Sequence, residues 1–136
     1  FVSQMPLFFL GSLYENLIFG SDASDKRKAD IGIPRVVEIC RRVHLPERVI
    51  ALIDQQEAIG EIALSQTEKI LLGLIRALIA NPEVLVMQKP TVVFNDEQAA
   101  ELLRTFKLHS RNRGLYLEGA LHMRRPRTVV FTASRL

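Results

Sequence analysis

LSQTEKILLGLIRALIANPEVLVMQKPTVVFND, residues 64–96, is the stretch from which the fold is read. Ser65 and Glu68 have the S-x-x-E spacing of a capping box, in which side chains satisfy backbone donors at a helix start. Leu71, Leu72, Leu74, Ile75, Leu78 and Ile79 then recur at helical spacing, with Glu68, Lys69 and Arg76 interleaved. Asn81-Pro82 stops the helix, because proline disfavours the helical conformation in the residue before it. Glu83–Met87 is short, apolar and rich in branched side chains, which predicts a buried strand. In open α/β sheets ligands bind beyond the carboxyl ends of strands, which directs attention to Gln88, Lys89 and Pro90.

Working outward, Asn95 or Asp96 caps a predicted helix over Asp96–Ser110, with Leu102, Leu103 and Phe106 on its buried side. Thr128–Thr132 predicts a second buried strand. Upstream, Phe1–Gln4 reads as the end of a strand leaving the core, and Met5–Gly20 as a turn and short helix. Arg35–His44 and Pro46–Asp54 predict amphipathic helices, with Pro46 at the first helical position, where its missing N–H is harmless. Ser21–Ile33, Gln55–Ala63 and Ser110–Pro126 read as loop or linker. The expected class is α/β.

Residues 64–96 resemble the nucleotide-binding domain of ATP-binding cassette (ABC) transporters. In that family a signature loop LSGGQ caps a helix ending in ALxxNP, followed by an apolar Walker B strand, Asp-Glu-Pro-Thr and a loop ending in Asp. Here Leu64–Glu68 stands in the signature, Arg76–Pro82 matches the helix end, Val84–Met87 the strand, and Gln88-Lys89-Pro90-Thr91 replaces Asp-Glu-Pro-Thr. A second match covers Met5–Gly20. Leu7, Phe8, Gly11, Ser12, Glu15, Asn16, Ile18, Phe19 and Gly20 fit the segment that follows the Q-loop in exporters, and Gln4 stands at the Q-loop position. Phe8, Phe9, Leu13, Leu17 and Phe19 are expected in the core, with part of this surface left to seat coupling helices of a membrane domain.

The resemblance implies the second half of a P-loop NTPase fold of the ABC type over residues 1–136. A helical subdomain would span residues 5–81, and an incomplete parallel sheet from Walker B to the switch loop would span residues 82–136. It also implies Mg²⁺ and ATP as family cofactors, a second nucleotide-binding domain and membrane-domain coupling helices as partners, and a place on the cytosolic face of a membrane. The site residues depart from the family. Gln88 offers a neutral amide oxygen where a carboxylate helps hold Mg²⁺, a hard cation. Lys89 puts a proton donor where a carboxylate polarises water. Ser134 stands for the switch histidine and Asn95 for the D-loop aspartate. Ser65 is kept in the signature, but Gln66 and Thr67 replace its glycines, and Glu68 brings an anion towards a phosphate. No G-x-x-x-x-G-K-[ST] loop occurs in residues 1–136.

Composition agrees with one globular domain: 136 residues, 48% hydrophobic, net charge +3. Residues 104–136 hold eight of the 18 basic residues and one of the 15 acidic ones. Their spacing, with few aromatics between them, reads as a solvated surface, and nucleic acid is not an expected partner. The single cysteine, Cys40, lies on the apolar side of its helix and suits burial in a reducing compartment. His44, His109 and His122 with Cys40 lack metal-ligand spacing, so no metal site is expected. No apolar run approaches the roughly 20 residues of a membrane-spanning helix, and no charged segment precedes an apolar run as in a secretory leader. A start at Phe1, directly in an apolar segment, reads as a piece of a longer protein. The leading expectation is a degenerate cassette that does not hydrolyse ATP and is at most a nucleotide-responsive or scaffolding half. The alternatives are a weakly active exporter ATPase relying on a partner cassette, and a basic interaction module acting through residues 104–127.

Overall fold

The computed structural model describes residues 1–21 and 32–133. The expectation for Ser134, and most of the loop expected over Ser21–Ile33, lie outside the described residues. Among the described residues, five α-helices and two strands follow in the order α1 (Leu13–Ile18), α2 (Ile33–Arg42), α3 (Glu47–Ile50), α4 (Gln66–Ala80), β1 (Val84–Met87), α5 (Asp96–Arg111) and β2 (Thr128–Phe131), with one-turn 3₁₀ helices at Ile59–Glu61 and Leu121–Met123. The mixed order and the parallel strand pair make this an α/β structure.

α4 is the centre. Its Ile70, Leu71, Leu72, Leu74, Ile75, Leu78 and Ile79 are buried, and it packs against both α1 and α2. Leu13 and Leu17 from α1, and Val36, Ile39 and Cys40 from α2, complete that core. Burial pushes the Cys40 thiol up to about 12, so it packs as a small apolar group. Gly73 lets α4 meet the N-terminal segment closely: a Cβ there would stand 2.7 Å from Cβ of Pro6.

Local chemistry sets the helix ends. Three helices open on capping boxes: Ser12 with Glu15, Ser65 with Glu68, and Asn95 with Gln98. α2 begins two residues before its expected start, with Pro34 in its first turn, and closes on a Schellman turn. There His44 takes φ 59° and Leu45 N–H reaches Cys40 O at 3.0 Å. α5 closes in the same way with Arg113 at φ 54°.

Four expectations need correction. The helix expected over Pro46–Asp54 is regular only over Glu47–Ile50. Pro46 is its N-cap, and Leu52 and Ile53 continue with tighter i→i−3 bonds. In α5 the buried stripe is Leu102, Thr105, Phe106 and His109, spaced by three and four, which turns Leu103 outward. Phe9 and Phe19, expected in the core, lie exposed against each other with ring centroids 5.0 Å apart. The two strands are not buried on both faces. Leu85 and Met87 are covered, whereas Val84 is 57% exposed, Val86 38% and Val130 52%.

The register explains that last difference. β1 and β2 pair in parallel, Val84 opposite Thr128 through Met87 opposite Phe131. Side chains alternate between faces, so Val84, Val86, Thr128 and Val130 share one face. α5 covers the other, with Phe106 and Phe131 ring centroids 6.2 Å apart. On the far side of β1, Val2 makes a single parallel bridge to Met87. Val2 N–H donates to Val86 O at 2.7 Å and Gln88 N–H donates to Val2 O at 3.2 Å. The Phe1–Gln4 segment, expected as the end of a strand, therefore joins the two-stranded sheet beside β1 through this one bridge. A parallel sheet is ordinarily covered on both faces; this one presents a valine face to the outside.

Candidate functional site at the carboxyl end of β1

The residues after β1 are fixed by their neighbours. Gln88 is tied to Val2, and Thr132 N–H donates to Met87 O at 3.2 Å. Lys89 N–H donates to Thr132 Oγ1 at 3.0 Å. Lys89 adopts φ 42°, the left-handed region that costs an ordinary residue about 1–2 kcal/mol. Lys89 O then accepts the N–H of Val92 at 3.2 Å, closing a turn over the buried Pro90. Gln4, Gln88, Lys89 and Pro90 meet here around a crevice also lined by Ile70 and Leu74 of α4.

The crevice holds about 10 Å³, roughly one water-sized probe. Its polar side groups are two amides, one hydroxyl from Ser3 and one ammonium. No carboxylate lines it, and among the described residues no cluster of three His, Cys, Asp or Glu side chains could hold a metal ion.

The residues expected in the signature, Ser65–Glu68, lie elsewhere, at the amino end of α4. Ser65 Oγ accepts the N–H of Glu68 at 3.1 Å, and Glu68 Oε2 accepts the N–H of Ser65 at 2.9 Å. Arg48 holds the other carboxylate oxygen and also donates to Ala63 O at 3.1 Å. Burial opposes ionisation of Glu68, but the Ser65 N–H and the Arg48 guanidinium outweigh it and hold the carboxyl below its usual range. Gln66 is exposed and Thr67 half-buried. Asn95 caps α5, its Oδ1 accepting the N–H of Gln98 at 2.8 Å. The structure thus brings Gln4, Gln88 and Lys89 together and keeps Ser65–Glu68 and Asn95 apart from them.

Three residues essential to this arrangement carried no signal of their own in the sequence. Thr132 and Arg48 act on partners 43 and 20 residues away. Asn16 is buried and brackets the backbone of Phe9, accepting its N–H at 3.0 Å and donating to its carbonyl at 3.2 Å. The match over Met5–Gly20 includes Asn16 but gives it no role.

A wider groove of about 450 Å³ opens beside the N-terminal segment, between Phe1, Met5, Leu7 and Phe19 on one side and Arg76 and Ala80 of α4 on the other. Leu7 is 85% exposed at its rim. Arg76 steadies that rim, donating to Leu7 O at 2.8 Å and lying over the Phe8 ring at 5.4 Å.

No family model matches the chain. Its relatives among characterised proteins are ABC transporters. An ABC transporter of Fusarium pseudograminearum is 29% identical over 82% of this chain and 8% of its own length. The ATP-dependent permease MDL1 of Candida albicans is 27% identical over 90% of this chain and 17% of its own. The leptomycin B resistance protein pmd1 of Schizosaccharomyces pombe is 27% identical over 66% of this chain and 6% of its own. The chain therefore spans less than a fifth of the length of each of these relatives. Among the described residues no helix is long and apolar enough to cross a membrane.

Proposed function

We propose that the chain forms the second half of an ABC-type nucleotide-binding domain that has lost its catalytic groups and acts as a structural or nucleotide-responsive part of a membrane transporter. The observation that carries this reading is the crevice at the end of β1. Gln4, Gln88 and Lys89 converge where the fold class puts ligands, yet no carboxylate is among them. Holding Mg²⁺ calls for anionic oxygen, and activating water calls for a proton acceptor. An amide and an ammonium supply neither, so the residues do not fit a magnesium nucleotide and no catalytic step is assigned to them.

The signature residues fit the same reading. At the start of α4 the N–H groups of Ser65 and Glu68 are engaged by each other's side chains, and the Glu68 carboxylate sits where an anion would approach. In this view the helical part, residues 5–81, keeps its architecture for mechanical reasons. The apolar groove beside Met5 and Leu7 would receive a coupling helix of a membrane domain, and the valine face of the sheet would meet the rest of the nucleotide-binding core. The whole would lie on the cytosolic face of a membrane beside a second nucleotide-binding domain.

The direct test is equilibrium titration of the chain with Mg·ATP. The reading expects weak binding at most, unchanged by Gln88→Ala. Saturable binding that disappears on Gln88→Ala would overturn it.

A further inference from the structure

We propose that the loop over residues 113–127 builds a binding site for phosphate-type oxyanions, separate from the β1 crevice. The loop folds over the end of α5 and, with Asn81, encloses a cavity of about 260 Å³. Arg113, Arg124, Arg125 and Arg127 line it, and Glu118 is the one acidic residue in its wall.

Charge is the first argument. The other nearby acid is Glu83, paired with Arg125 at 2.7 Å. Four guanidinium groups against two carboxylates leave a net positive cavity, roomy enough for a tetrahedral anion with its waters. Burial first, then the charges of Arg127 and Arg35, push the His109 imidazole down to about 4. The hydrogen bond and the charge of Arg125 hold the Glu83 carboxyl below its usual range.

Preorganisation is the second. Arg113, Arg124 and Arg127 are held by backbone carbonyls, which orient a guanidinium without neutralising it. Arg113 donates to Arg124 O at 2.8 Å. Arg124 donates to Asn112 O at 2.9 Å, to Leu117 O at 2.6 Å and to Gly119 O at 2.9 Å. Little side-chain freedom is left to lose when an anion arrives. Guanidinium forks also suit phosphate oxygens better than any other side chain.

The phosphate can be free or carried by a lipid headgroup, and the experiment separates the two. Calorimetric titration of the chain with inorganic phosphate and pyrophosphate at low salt is run beside co-sedimentation with phosphatidylcholine vesicles, with and without phosphatidic acid. Two variants read the site: Arg113→Gln, which removes one charged donor, and Glu118→Gln, which removes the exposed opposing charge without disturbing a helix. Circular dichroism establishes that each variant is folded. The proposal expects Arg113→Gln to weaken binding by about tenfold and Glu118→Gln to strengthen it by about fivefold. Saturable phosphate binding with those changes supports a soluble anion. Binding only to vesicles holding phosphatidic acid, with the same changes, supports a headgroup. No binding in either arm, or binding that neither substitution alters, overturns the proposal.

Discussion

Ser65 and Glu68 satisfy each other at the start of α4: each side chain accepts the other's backbone N–H, at 3.1 and 2.9 Å. This reciprocal bond satisfies two backbone donors at the helix start, which is structural work. Ser65→Ala should lower unfolding free energy by about 1 kcal/mol, the ordinary worth of an N-cap. Urea unfolding measures it. No change in midpoint would mean that the cap contributes nothing and that Ser65 is kept for another reason.

Acid should destabilise the protein in a window set by His109. Its ring is fully buried with neither nitrogen hydrogen-bonded, and its pKa falls from 6.5 to about 4. Between those values the unfolded chain binds the proton that the folded chain refuses. Stability is therefore full above about pH 6.5 and is lost as pH falls towards 4. The loss is at most about 3 kcal/mol. Below that window the lowered carboxyl of Glu68 adds a further loss as it protonates. His109→Gln should flatten the upper part of the profile and leave the lower part. An unchanged slope between pH 6.5 and 4 in that variant would show that other groups set it.

The approach of Pro6 to α4 gives a packing test. Alanine at position 73 would improve helix propensity by about 1 kcal/mol. Its Cβ, however, would stand 2.7 Å from a rigid proline ring. Overpacking costs about 1–3 kcal/mol, and the ring has no rotamer with which to yield, so Gly73→Ala should destabilise. A raised melting temperature would show that the Met5–Leu7 segment moves away freely.

Much of this was legible because it is local. The Ser65–Glu68 box, the helix stop at Asn81-Pro82 and the burial of Cys40 each depend on residues within one or two helical turns. The exposure of Val84 and Val86 could not be read from EVLVM, because an apolar strand looks the same whether its second face is covered or bare. The outward turn of Leu103 was hidden by Thr105 and His109, polar residues that take the buried stripe. The clamp of Arg48 on Glu68 and the tie of Lys89 to Thr132 link residues far apart in sequence. The site followed the same division. The departures at Gln88 and Lys89 were visible as letters, whereas their meeting with Gln4 depended on Val2 lying beside β1.

The bare valine face predicts uneven stability. Amide exchange should be slow along Leu71–Leu78, enclosed by α1 and α2, and fast in Val84–Met87 and Thr128–Phe131, with self-association at working concentrations. Hydrogen exchange read by mass spectrometry, together with sedimentation, tests both. A monomer with strands as protected as α4 would contradict the view that this face awaits another layer.

The measurement closest to the central claim is ATP-dependent phosphate release by the chain, with Mg²⁺ present. Loss of both a positioned base and a metal contact removes several orders of magnitude in rate, so release should equal a buffer control. Release above that control, abolished by Gln4→Ala, would contradict the account and make the crevice at the end of β1 a working catalytic site.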